Sequence, residues 1–99
     1  MKAKIFEQGT DKQIAIADIE AKFISSNRFA GKITKGSVFQ LKGADMPTVI
    51  KQPVVVFDYK GETIKVNVEQ EIPFMIVHLV NTGTFKEMQI SGNVVTDNI

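Results

Sequence analysis

The chain contains no cysteine. Disulfides, thiolate metal sites and cysteine nucleophiles are thereby excluded, and a reducing cytoplasm is the compartment that fits. It also lacks a long apolar run. The most apolar stretch, Ile72 to Val80, is interrupted by Pro73 and His78 and falls far short of the ~20 residues that span a bilayer, so no membrane partner is expected. No apolar segment follows Lys2 and Lys4, so no signal peptide is expected, and no Asn-x-Ser/Thr acceptor occurs.

Catalytic signatures are missing as well. Ser25, Ser26, Ser37 and Ser91 lie in neither Gly-x-Ser-x-Gly nor Ser-x-x-Lys. There is no Walker loop or Gly-x-Gly-x-x-Gly, and Lys35-Gly36-Ser37 and Lys42-Gly43 are too short to cradle a phosphate. The acids Asp58, Glu62, Glu69 and Glu71 lack the glycine-containing loop with alternating acids that calcium requires, so they read as a solvated acidic face. The lone histidine, His78, lies in an apolar strand where the simplest register sets it opposite Glu87, a contact that would raise its pKa. A general base also needs a nucleophile and an orienting partner, and neither can be picked out, so a half-buried histidine is the simpler reading. The expectation is a protein that is not an enzyme and uses no metal or cofactor.

What the chain does contain is strand pattern. With 99 residues, 43% of them apolar, no linker and no repeat, it is expected to form a single domain over residues 1–99. The clearest element is a hairpin, Val54–Val68. Val54-Val55-Val56-Phe57 is β-branched and aromatic, Lys60-Gly61 is a tight turn, and Thr63 to Val68 alternates. A two-residue loop sets Phe57 opposite Ile64 and Val55 opposite Val66, with Asp58, Lys65 and Asn67 on the other face. A second hairpin is expected over Phe74–Ile90, with Asn81-Thr82-Gly83-Thr84 as its turn, Ser91-Gly92-Asn93 ending it and Val94-Val95-Thr96 as a last short strand. In the first half, Phe29 to Thr34 and Ser37 to Lys42 read as strands around a Lys35-Gly36 turn. Gly43 to Pro47 reads as a loop, and Val49-Ile50 leads into a strand.

Ile14 to Ile24 is ambiguous. Ile16, Ile19 and Phe23 would share a helix face, whereas Ile19, Ala21 and Phe23 alternate as in a strand. Strand is favoured. The fold class is therefore all-β, with at most one short helix: a small closed or partly open barrel, PUA-like or OB-like, built of antiparallel hairpins.

Charge is the one feature with functional colour. Lys22 to Lys51 carries +5, and the rest of the chain −4. Lys22, Arg28, Lys32, Lys35 and Lys42 interleave with Phe23, Phe29 and Phe39, and single-strand binders pair cationic grooves with aromatic platforms. The candidate nucleic-acid-binding set is Lys22, Arg28, Phe29, Lys32, Lys35 and Lys42, with Phe29 the best exposed aromatic and Tyr59 the second. Strand alternation would turn the other phenylalanines inward, so a basic solvated sheet face over a phenylalanine core is the bland alternative. Eleven of the twelve cations are lysine, so weak sequence preference and strong salt dependence are expected.

Two stretches resemble a family of small accessory proteins of Gram-positive conjugative transposons and pheromone-type plasmids. One is Asp11-Lys12 with Asp18-Ile19-Glu20-Ala21-Lys22-Phe23. The other is Ile64-Lys65-Val66-Asn67-Val68 running into Glu71-Ile72-Pro73 and an apolar strand ending Leu79-Val80-Asn81. The resemblance implies a small β-barrel, similar to RNA-associated PUA barrels, with a cytoplasmic role accessory to a mobile element. It carries over no catalytic residue. The expected partner is RNA or single-stranded DNA. The alternative is a structural or protein-interaction module, such as a phage or plasmid assembly component, that self-associates through edge strands.

Overall fold

The computed structural model describes residues 1–10, 13–39, 49–73 and 87–95, excluding the side chains of 35–39 and 73. The described residues form eight strands and no helix: β1 (Lys2–Glu7), β2 (Gln13–Ile24), β3 (Arg28–Phe39), β4 (Val49–Ile50), β5 (Pro53–Tyr59), β6 (Glu62–Val68), β7 (Ile72–Pro73) and β8 (Met88–Val94). Six of them close a barrel in the order β1-β2-β3-β8-β6-β5, and every neighbouring pair is antiparallel. Closure leaves these six strands without a free edge. β4 and β7 form a two-stranded sheet whose Ile50 and Ile72 pair and join the core.

The β5–β6 hairpin has the expected register, Phe57 with Ile64 and Val55 with Val66. Its two-residue turn has positive φ at both positions, 50° at Lys60 and 81° at Gly61, as a type I′ turn requires. Alternation sends Val55, Phe57, Val66 and Val68 inward and leaves Asp58 and Lys65 exposed.

Ile14 to Ile24 is strand throughout, within β2. Ala15, Ala17 and Ile19 face the core in alternation. Beyond them a bulge changes the phase, because Ala21 pairs with Gly31 while Phe23 pairs with Ala30. Phe23, expected inside, is therefore 54% exposed, and Ile24 packs against the core instead.

Two further expectations need correction. Lys35-Gly36 does not turn the chain: β3 runs on from Arg28 to Phe39. Ile16 pairs with Val38 and Asp18 with Thr34, so three residues, Lys35 to Ser37, face only Ala17. The turn-like composition marks a wide irregularity inside a strand. Likewise, Ser91-Gly92-Asn93 does not end a strand but lies within β8, paired to Ala30, Phe29 and Arg28. The hairpin expected over Phe74–Ile90 and the loop at Gly43 to Pro47 fall outside the described residues, except that Met88 to Ile90 begin β8.

Gly92 stands where β3, β8 and β6 meet, paired with Phe29 on one side and Val68 on the other. A Cβ there would overlap the Asn67 carbonyl and come within 2.9 Å of the Val68 Cα, both backbone. By contrast, a Cβ on Gly61 would meet nothing within 4 Å. Gly61→Ala should therefore cost only the left-handed backbone penalty, about 1–2 kcal/mol in urea melts. Gly92→Ala should cost more, because the β6–β8 backbones must part.

Candidate nucleic-acid interface

Two cations of the basic middle third, Arg28 and Lys32, are held by acids. Arg28, at the start of β3, hydrogen-bonds and ion-pairs with Glu69 and donates to Asn93 Oδ1 at 3.2 Å. Lys32 lies between Glu20 of β2 and Glu87 just before β8, 2.6 Å from Glu87 and 3.9 Å from Glu20, with its side chain only 18% exposed. Glu87, which the sequence sets against His78, is thus engaged by Lys32. His78 itself lies outside the described residues. Lys22 is exposed and occupies the bulge beside Phe23. Lys35 belongs to β3 but its side chain lies outside the description, and Lys42 lies outside it entirely.

Phe29 is not an exposed platform. It is 0% exposed, and its ring meets that of Phe57 at 5.5 Å between centroids, tilted by 51°. β3 and β5 stand opposite each other in the six-strand order, so this pair spans the barrel interior. Tyr59 is half-buried against the core, with Lys60 Nζ 5.3 Å from its ring centre. Two of the serine hydroxyls hold local structure. Ser25 Oγ accepts from Arg28 N–H at 3.0 Å in the β2–β3 turn, and Ser91 Oγ accepts from Gln70 Nε2 at 2.9 Å. Among the described residues no cluster of metal-ligating side chains forms, and no helix is long and apolar enough to cross a membrane.

A different surface combines free cations with apolar floor. On the outer face of β2, β1, β5 and β6, Ile16, Lys4, Val56 and Lys65 lie in one cross-strand row, and Gln13, Phe6, Val54 and Asn67 in the next. Lys4 and Lys65 are exposed, and among the described residues neither meets an acid within ion-pair distance. Neighbouring strands lie about 4.8 Å apart, so the two lysines stand roughly 10 Å apart at the backbone with Val56 between them. Phe6 and Val56 are half-buried, and Val54 is buried at 4% although it points away from the barrel core.

The surface beside Val54 is grooved. A groove of about 460 Å³ is lined by Phe6, Val54 and Val56 below, by Glu7 to Thr10 on one side, and by Lys65, Asn67 and Val95 on the other. Its first wall is a hydrogen-bonded turn in which Thr10 N–H donates to Glu7 O at 3.1 Å, with Gly9 at φ 85°. Gln8 N–H ties that turn to Gln52 O at 2.9 Å, and Val95 N–H ties the opposite wall to Lys65 O at 2.8 Å. Glu7 is the one acid among the described lining residues.

Sequence reasoning placed Lys65 and Asn67 correctly on the outer face but did not bring Lys4 and Phe6 beside them. The signal for that would have been the β1–β5 pairing, which joins residues about fifty positions apart and has no local signature. No family model matches the chain, and neither the curated proteins nor the solved structures contain a match.

The placements have measurable consequences. Phe29→Ala should lower unfolding stability by about 3–5 kcal/mol in urea melts, as loss of a core ring does. The hydrogen bond from Arg28, helped by its charge and opposed by desolvation, holds the Glu69 carboxyl below the ordinary carboxylate range. A depressed folded pKa contributes stability above the unfolded pKa and loses it as pH falls through the folded one. The hydrogen bond to Glu87 chiefly, with the charges of Glu20 and Glu87, raises Lys32, so its contribution is lost instead as pH climbs through the raised value. Carboxyl-carbon NMR should find Glu69 titrating low in the native protein and in the ordinary range in Arg28→Gln.

Proposed function

We propose that this protein is a non-enzymatic binding module whose partner is single-stranded RNA or DNA. The observation that carries the reading is the row Ile16–Lys4–Val56–Lys65, in which two exposed lysines, without an ion pair among the described residues, flank apolar side chains on a grooved sheet face. Cations that hold no acid can replace the counterions of a phosphate backbone without first breaking an ion pair, unlike Arg28 and Lys32. Phe6, in the next row, supplies the aromatic that single-strand binders set beside such cations. A cytoplasmic accessory role in a mobile element rests on the sequence resemblance and is compatible with such a partner.

A second reading, a protein-interaction module, is favoured by Phe23, 54% exposed at the β2 bulge next to Lys22. Sedimentation separates the two: a tight oligomer without nucleic-acid affinity supports the second.

Fluorescence anisotropy with labelled oligo-U and oligo-dT over a salt series tests the first. Two phosphate contacts predict a slope of log K against log salt near about −1.4, at about −0.7 per contact. Lys4→Gln and Lys65→Gln should each flatten it by about 0.7, and Lys22→Gln should leave it unchanged. Absence of binding at low salt overturns the proposal.

A further inference from the structure

We propose that the groove beside Phe6 seats a single unstacked base, so that the protein selects single strands over duplexes. This rests on the nucleic-acid reading above and deepens it.

Phe6 is the aromatic of the groove floor, half-buried and outside the barrel core. The backbone is irregular where it sits. Ile5 pairs with Ala15 but Phe6 with Gln13, leaving Ile14 as an extra residue opposite them. Bulges of this kind re-aim side chains beside binding sites. Val54 and Val56 continue the apolar floor, and about 460 Å³ falls within the range of small-ligand sites.

The walls supply the polar half. Asn67, half-buried across from Val54, has no side-chain hydrogen bond among the described residues, so its amide can both donate to and accept from a base edge. Lys4 and Lys65 stand in the adjacent row, where the phosphates flanking a seated base would lie. Their charge complements the phosphates and exceeds that of Glu7, the acid in the lining. The turn wall is tied to Gln52 and the opposite wall to Lys65, so the site needs little ordering on binding. A base inside a duplex is stacked on both faces and cannot enter such a groove, whereas a single strand can offer one.

The test uses a single strand carrying one 2-aminopurine, whose fluorescence falls on stacking, with duplex DNA and polyglutamate as competitors. Binding should quench the probe, and duplex and polyglutamate should displace it far less well than unlabelled single strand. Phe6→Leu should weaken binding by about five- to a hundredfold while leaving the salt slope unchanged. Lys4→Gln should do the reverse, flattening the slope while keeping the quench. Asn67→Asp, nearly isosteric, guards against a folding defect in Phe6→Leu and should weaken binding severalfold in a protein with an unchanged melt.

Salt-dependent binding without quenching, or with equal displacement by duplex or polyglutamate, overturns the base seat and leaves the phosphate-binding face standing. Binding that is lost in neither Phe6→Leu nor Asn67→Asp does the same. No binding of any strand overturns both.

Discussion

Six strands close the cylinder, and at the seam where β8 joins β6 the backbones approach so closely that Gly92 leaves no room for a side chain. Between β3 and β6 its missing Cβ is the space that the Asn67 carbonyl and the Val68 Cα occupy. The rest of the seam is secured around that point. Glu69 N–H donates to Ser91 O at 2.8 Å, and the Gln70 amide clasps Ser91 twice, accepting from its N–H and donating to its hydroxyl. Arg28 spans the same junction to Asn93 and Glu69. The interior follows from the closure: Ala3, Ala15 and Ala17 leave room on β1 and β2 for the Phe29 and Phe57 rings to meet across the lumen.

The same closure redistributes charge. Read along the chain, the cations cluster in the middle third and the acids elsewhere. Wrapped into a barrel, acids of β2, β6's end and the segment before β8 come to stand beside β3, and Glu20, Glu69 and Glu87 meet its Lys32 and Arg28. Two of the cations in the linear excess thereby become cross-strand struts. Two lysines that the linear count did not single out, Lys4 and Lys65, are brought to either side of Val56 by pairings on both edges of β5.

What was legible in the residues was whatever depends on near neighbours. The Val54–Val68 hairpin could be read to its register because strict alternation and Lys60-Gly61 both specify it. Ile14 to Ile24, where helix and strand periodicities competed and strand was favoured, is strand. Phe23 and Phe29 were misread because each depends on how strands pair rather than on alternation within its own strand. A bulge against β3 turns one outward, and a ring from the opposite wall receives the other. Lys35-Gly36 and Ser91-Gly92-Asn93 look like turns because glycine serves bends and close backbone approaches equally, and composition does not distinguish the two. The groove was illegible because its two sides, β1 and β6, meet only through β5.

The place of β8 in the strand order also makes it the strand that completes the ring. It is the last barrel strand in the chain, and both of its partners, β3 and β6, are remote from it in sequence. The β1–β2–β3 meander and the β5–β6 hairpin can form from local contacts, and β1 can dock on β5, but the cylinder stays open until β8 arrives. Until then β3 and β6 each present an unpaired edge, the surface through which incomplete sheets add foreign strands. Synthesis from the N-terminus prolongs that interval, because the closing strand is made last. The final strand is thus a guard against misassembly as much as part of the wall.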